Sequence, residues 1–361
     1  MAVPLFDTST PLVGLRDEVD AAIASVVDSG RFIFGPQVSA FESELAAYCG
    51  TRHAIGVANG TEALTIALRA MGVGPGDEVV VPSFTFYASA EAIPPTGARP
   101  VFCDVDPQTA CVTAATVRDA LTPTTKAVIA VHLFGNVAPV AEIEALGVPV
   151  LEDAAQAAGS RSAAGRPGAL GRAATFSFFP SKNLGAFGDG GAITTDDEGL
   201  AALARMLRFH GSHDKVTYEH IGYNSRLDEL QAAILRVQLP ALDTWADGRR
   251  AAARHYEQAG LGELVTLPVA TSGSEPAWHL YVVRCERADE LAAGLAEYGI
   301  GCKAYYRRPV HRQPAMAPFA GGVDLPATDA VARTHLALPL SPVLSAEQAG
   351  EVVAAVRAVL G

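Results

Sequence analysis

The sequence has no apolar run long enough to cross a bilayer, so no spanning helix is expected. Residues Met1 to Leu12 lack the basic stretch followed by an apolar core that a secretion signal needs, and the chain reads as cytoplasmic. Positive charge is scarce: 27 Lys and Arg stand against 39 Asp and Glu, for a net charge of -12. No basic residues cluster on one face, which argues against a nucleic-acid surface, although a nucleotide carried on a small ligand needs only a few local charges. The five cysteines (Cys49, Cys103, Cys111, Cys285 and Cys302) lie far apart, with no C-x-x-C pair and no Cys/His cluster at metal spacing. They read as reduced, mostly buried thiols, and no metal site is expected. Also missing are a G-x-x-x-x-G-K-[ST] loop, a G-x-G-x-x-G turn after a first strand, H-E-x-x-H and G-x-S-x-G. Any phosphate must be held by another device.

What is present is a chain of 361 residues, 49% of them hydrophobic, which suits a large domain with a smaller one. Short β-rich runs alternate with Ala- and Leu-rich stretches over the first two-thirds, the pattern of an α/β fold with a mainly parallel central sheet covered by helices. The expected strands are Ala54 to Val57, Glu78 to Val81, Pro100 to Asp104, Lys126 to Val131, Val148 to Glu152, Ala174 to Phe179 and Ala192 to Thr195. Arg226 to Leu239 reads as a helix, and Pro240 follows it. We place the domain junction there, with residues 1–240 as a large cofactor-binding domain and 241–361 as a small C-terminal α+β domain. In the latter, His279 to Cys285 reads as a strand, Asp289 to Tyr298 as a helix and Ala346 to Val359 as a closing amphipathic helix.

Three segments carry chemistry. Val148 to Gln156 is an apolar strand ending in Glu152 and Asp153, followed by an alanine-rich stretch that reads as a helix. An acid there either caps that helix or faces the ligand crevice of an α/β sheet, where Asp153 could keep a pyridine nitrogen protonated and so sustain an electron sink. In Ala174 to Gly191, Lys182 follows an aromatic strand and precedes a run of glycines that lets backbone pack closely around it. A solvated lysine would do nothing there, whereas a desolvated one would be the neutral amine that attacks an aldehyde. In Ala58 to Leu64 a strand end passes through Gly60 into a helix. Thr61 either caps that helix or adds a hydroxyl to N–H groups that suit a phosphate. Phe84, Phe86 and Tyr87 offer a ring for stacking on a flat cofactor or belong to the core. Phosphate at Thr61 and Ser177, an aromatic face, Asp153 for a ring nitrogen and Lys182 for an aldehyde occur in an order that one sheet can bring together.

At these residues the sequence resembles the sugar aminotransferases of the DegT/DnrJ/EryC1/StrS family, a branch of the fold-type I PLP-dependent enzymes. The resemblance covers nearly the whole chain. It includes Gly35-Pro36 with Phe41-Glu42, Asn59-Gly60-Thr61, Val105-Asp106, Glu152-Asp153, Lys182 with Gly188 to Gly191, and Gly222 to Gln231. It implies pyridoxal 5'-phosphate (PLP/PMP) as cofactor, carried by Lys182 as a Schiff base, with Asp153 at the ring nitrogen, Phe86 stacked on the ring and Gln156 near its hydroxyl. Gly60, Thr61 and Ser177 would hold the phosphate. Asn224 would reach the phosphate from the partner subunit of a homodimer, and Arg226 would line the same shared cleft.

The resemblance further implies transamination of a nucleotide-linked keto sugar with L-glutamate as amino donor. Family dehydratases carry His where this chain has Lys182. The block Phe178 to Asn183 with Gly188-Asp-Gly-Gly looks like members acting at the sugar C3 more than at C4. In the loop Tyr305 to Pro314, Tyr306 and His311 match the family's substrate-facing pattern, while Tyr305 and Arg307 depart from its common His-Tyr-Pro form, so a uronic-acid preference is not carried over. A neutral 3-keto-6-deoxy sugar on dTDP is the leading substrate, then a UDP-linked 3-keto sugar. The rivals are a C4-keto sugar or keto-cyclitol aminotransferase, a PLP-dependent sugar dehydratase, and a non-catalytic PLP-binding regulator, for which no basic DNA-binding helix is available.

Overall fold

The computed structural model describes residues 3–361. Its strands are β1 (His53–Val57), β2 (Glu78–Pro82), β3 (Arg99–Cys103), β4 (Thr125–Val131), β5 (Val150–Asp153), β6 (Arg161–Ser162), β7 (Ala173–Ser177), β8 (Gly191–Thr195), β9 (Ser274–Glu275), β10 (Tyr281–Arg284) and β11 (His335–Leu338). Seven of them form one sheet in the order β1-β8-β7-β5-β4-β2-β3. Runs such as Val79-Val80-Val81 and Ala127 to Val131 are buried on both faces, as strands covered by helices on either side must be. The seven strands expected from the sequence are all present, with ends moved by one or two residues.

All neighbours in this sheet are parallel except β8, which pairs antiparallel with both β7 and β1. The reason lies in the link from β7 to β8. Residues 178–190 contain no helix, and without a crossover helix the chain can only turn back on itself. Because β8 alone is reversed, β1 runs in the same direction as β7, β5, β4 and β2. Their C-terminal ends therefore open on one edge.

A second core forms from antiparallel β10 and β11 and the helices Leu242–Gln258, Ala288–Glu297 and Ala346–Leu360, with Tyr256, Leu291, Leu336 and Val352 inside. The N-terminal segment joins it: the Val3 N–H donates to the Gly299 carbonyl and the Val3 carbonyl accepts from Gly301. The helix Leu242–Gln258 bridges the two halves. Leu242 packs with Phe41 and Phe178, whereas Ala252, Ala253 and Tyr256 belong to the second core. No helix among the described residues is long and apolar enough to cross a membrane.

Two local expectations fail. The alanine-rich stretch after Asp153 is not a helix but a pair of turns, Ala157 N–H to Ala154 O and Ser160 N–H to Ala157 O. They lead into Gly159 at φ +91°, pressed against the Ala246 side chain, where a Cβ would have neither room nor a comfortable backbone. The helix expected from Arg226 begins at Glu229. Ahead of it, Asp228 forms an antiparallel bridge to Ile33 and the Glu229 N–H donates to the Phe32 carbonyl, so the strand-like link displaces the first turn.

Glu229 itself is 1% exposed and accepts hydrogen bonds from the N–H groups of Gly35, Gln37 and Val38 at 2.8, 2.9 and 2.8 Å. These are orphan donors at the start of the helix Pro36–Cys49, and an anion there satisfies both them and the helix dipole. Glu229→Ala should therefore lower unfolding free energy by about 3 kcal/mol, the cost of leaving several buried donors unpaired. Urea denaturation reads this directly, and a loss below about 1 kcal/mol would mean that water replaces the carboxylate.

Candidate active site

The shared sheet edge gathers residues that are far apart in sequence. Gly191 opens β8 opposite both Val57 of β1 and Ser177 of β7. A Cβ at Gly191 would lie 2.5 Å from the Asn59 carbonyl, and one at Gly60 would lie 2.8 Å from Ser177 Cβ. The two glycines are thus required by close approach, and the approach brings the start of the helix Gly60–Ala70 against Ser177. The cap of this helix is Asn59, whose side chain accepts from the Glu62 N–H at 2.9 Å. Thr61 is released from capping. Gly60 and Thr61, at the helix start, and Ser177 line a cavity of about 390 Å³.

The same cavity is lined by Asp153, Gln156, Phe86, Lys182 and Tyr306. Asp153 ends β5 and is 6% exposed. Its Oδ2 accepts from Ser89 Oγ at 2.7 Å and its Oδ1 from the Ala155 N–H at 3.2 Å, which fixes the carboxylate. Ser89 is steadied in turn by Thr85 Oγ1 at 2.9 Å. Gln156 accepts from the Phe134 N–H at 2.7 Å and donates to Tyr306 OH at 3.2 Å, so the loop tyrosine is tied to the end of β5. The Phe86 ring is 52% exposed and stands 5.8 Å from that of Tyr306. Phe84, by contrast, is fully buried between Phe134 and His335 and belongs to the core.

Lys182 is held by a turn, its N–H donating to the Phe179 carbonyl at 2.8 Å. Burial pushes its ammonium down to about 8, with the charge of Asp153 working in the opposite direction. His279 lines the same cavity and stacks on Phe6, centroids 5.9 Å apart. Burial first, then the charges of Lys182 and Arg249, hold it well below the usual histidine range and hence neutral. Behind Asp153, Glu152 is wholly buried and accepts from Gly168, Leu170, Gly171 and His132 Nε2. His132 Nδ1 accepts from the Ala138 N–H, so the ring proton is on Nε2. This network anchors β5 from the side away from the cavity.

Three residues singled out from the sequence stand elsewhere in the single chain. His311 does not line the cavity. It is 7% exposed, its Nδ1 lies 2.6 Å from Ser83 Oγ, and its N–H donates to the same oxygen at 3.1 Å. It fastens the 305–310 loop to the end of β2. Asn224 is exposed and forms an isolated bridge to Phe209, and Arg226 is half-buried; neither borders the cavity. Conversely, Phe6, Ser89 and His279 belong to the site without having been singled out. Ser89 lies three residues after Phe86, across the turn that leads into a short helix, which is a faint signal. For Phe6 and His279 the sequence gives none, since only the docking of the second core brings them in.

The arrangement combines an anion cradle at a helix start, a fixed buried carboxylate, a desolvated amine and an aromatic face around one space. Residues 14–357 match the DegT/DnrJ/EryC1/StrS aminotransferase family. The chain is 47% identical to a dTDP-3-amino-3,4,6-trideoxy-alpha-D-glucose transaminase of Streptomyces venezuelae, over 98% of this chain and 95% of that one. It is 42% identical to a UDP-N-acetyl-3-dehydro-alpha-D-glucosamine 3-aminotransferase of Acidithiobacillus ferrooxidans, over 99% and 98%. Among solved structures, S. venezuelae DesV in complex with a ketimine intermediate superposes with a TM-score of 0.95 at 46% identity, covering 99% of this chain and 98% of that one. With a family match across almost its whole length and relatives at this identity, the chain belongs to the DegT/DnrJ/EryC1/StrS aminotransferase family.

Proposed function

We propose that this protein is a pyridoxal-phosphate-dependent aminotransferase that moves an amino group from L-glutamate to the C3 keto group of a nucleotide-linked sugar. The observation that carries the reading is the meeting of the Lys182 amine and the Asp153 carboxylate in one cavity that an anion cradle also lines. The residues fit the cofactor. A phosphate dianion matches the Gly60 and Thr61 N–H groups, the Thr61 hydroxyl and Ser177, and a ring nitrogen matches the free capacity of Asp153. Both relatives named above are sugar C3 aminotransferases by name, which supports the position of amination. A dTDP-linked 3-keto-6-deoxy sugar remains the first substrate to test, and a UDP-linked 3-keto sugar the second.

When bound, the cofactor supplies an aldehyde carbon for the amino group and a ring that accepts the electron pair of a broken C–H bond. The chain's own groups do the rest. Asp153 holds a proton on the ring nitrogen, with Ser89 and the Ala155 N–H preventing its rotation. Neutral Lys182 would carry the α-proton of the donor to the carbon that accepts the amino group, and in the second half-reaction would carry a proton from that carbon to the acceptor carbon. Phe86 would cover one ring face, and Gln156 would reach the ring hydroxyl while it holds Tyr306 in the cavity wall. His311 supports this wall through Ser83 and acts by positioning. We assign residues 1–240 to the cofactor-binding domain and 241–361 to the smaller one that closes the site from the other side, with the segment at Val3 docked on the latter.

The assembly is a homodimer with shared sites, in which Asn224 and Arg226 act on the partner's cavity. Next to them Val216 and Ile221 are 81% and 87% exposed in the single chain, and Phe34 packs on Phe209 to extend the same surface toward Phe32 and Ile33. Apolar side chains so exposed on adjoining segments mark an interface.

Lys182→Ala should abolish turnover and the absorbance near 400 nm of the protein–cofactor Schiff base, and undiminished turnover would end the assignment. The apoprotein should load with PLP at a rate that follows the neutral amine, rising about tenfold from pH 7 to pH 9 and levelling above it. A rate still climbing steeply near pH 10 would show a solvated lysine. Co-expressed Lys182→Ala and Asn224→Asp chains, each inactive alone, should recover activity, because a mixed dimer keeps one intact site. Absence of recovery would place Asn224 outside the partner's site.

A further inference from the structure

Next to the main cavity lies a second one of about 260 Å³, and the two share Phe6, Ser181 and Lys182 as common walls. Lys182 therefore stands at a junction. The second cavity is also lined by Gln238, Trp245, Phe187 and Arg249. Arg249, on the helix Leu242–Gln258, is 7% exposed and makes one recorded hydrogen bond, from Nη1 to the Trp278 carbonyl at 3.3 Å. Its Nε is buried without a partner, and among the described residues no carboxylate lies within ion-pair distance of the guanidinium. The acid on the same wall, Asp7, directs Oδ1 to the N–H groups of Ser9 and Thr10 instead.

A buried guanidinium without a counter-ion is costly, and the fold keeps this one in a cavity that Lys182 also lines. Burial lowers Arg249 to about 10, so it is cationic at neutral pH and waits for an anion. We propose that the second cavity is the subsite for the distal carboxylate of a dicarboxylic amino donor, with Arg249 as its anchor. The inference rests on the transaminase reading and adds to it the residue that selects the donor. The donor amine would lie at Lys182, its methylenes between Phe187 and Trp245, and its side-chain carboxylate on the planar fork of Arg249. A monocarboxylic donor such as alanine would leave the guanidinium uncompensated, which is a strong basis for discrimination. The 2-oxo dicarboxylate that the donor becomes would use the same anchor. Gln238 is neutral, and one of its two Nε2 protons already goes to the Gly185 carbonyl at 2.8 Å, so Arg249 is the charged donor of this cavity.

The test compares the wild-type holoenzyme with Arg249→Lys and Arg249→Met, using glutarate as a binding probe that has both carboxylates and no amine. Arg249→Met should raise KM for glutamate at least about tenfold, leave KM for the nucleotide sugar within about twofold, and weaken glutarate binding measured calorimetrically by a similar factor. Arg249→Lys should fall between, since it keeps the charge and loses the fork. If Arg249→Met does not fold, Arg249→Lys decides on the same two constants. Unchanged glutarate affinity and glutamate KM would overturn the subsite, as would a parallel rise in both KM values with glutarate binding intact. A wild-type protein that binds glutarate yet transfers no amino group would refute the transaminase reading and leave the subsite standing.

Discussion

The amine of Lys182 sits where burial works against its charge and the carboxylate of Asp153 works for it. That balance decides whether the lysine is a nucleophile at neutral pH or an inert cation. It is set by three separate pieces of the fold. The glycine-rich link between β7 and β8 packs backbone around the lysine, the end of β5 fixes the carboxylate, and the second core closes the space from the far side. A change in any of them alters the dielectric around one nitrogen.

The reversed strand β8 is the geometric condition for this. Were it parallel to its neighbours, its last residue and not Gly191 would lie beside the ends of β1 and β7. Instead Gly191 faces both Val57 and Ser177, and the anion cradle forms beside the carboxylate and the amine. The absence of side chains at Gly60 and Gly191 is part of the same condition, since each position meets its neighbour too closely for a Cβ.

Polar groups are distributed unevenly around the site. Glu152 and Glu229 are buried carboxylates whose lone pairs are taken by backbone N–H groups, and they hold elements together. Asp153 has fewer donors and keeps capacity toward the cavity, while Arg249 has almost none of its donors used. Satisfied groups support the frame, and groups left unsatisfied face the space where a ligand would complete them. His311 shows how closely the two kinds can resemble each other in sequence. It lies in the substrate-facing loop, yet its partner is Ser83 within the protein.

The sequence by itself determined the alternation of strands and helices, the strands of the main sheet, and the segments bearing Lys182, Asp153, Thr61 and Ser177. These are local properties, because periodicity, glycine runs and strand ends act over a few residues. Only the tertiary structure decided that Asn59 and not Thr61 caps the helix, that the alanines after Asp153 turn instead of coiling, and that His311 is internal. It alone brought Phe6, His279 and Arg249 to the cavities that Lys182 lines. Their roles depend on how a second core, more than sixty residues away in the chain from Lys182 at Arg249, docks against the first. Contacts of that range arise from packing, and no pattern in neighbouring residues encodes them.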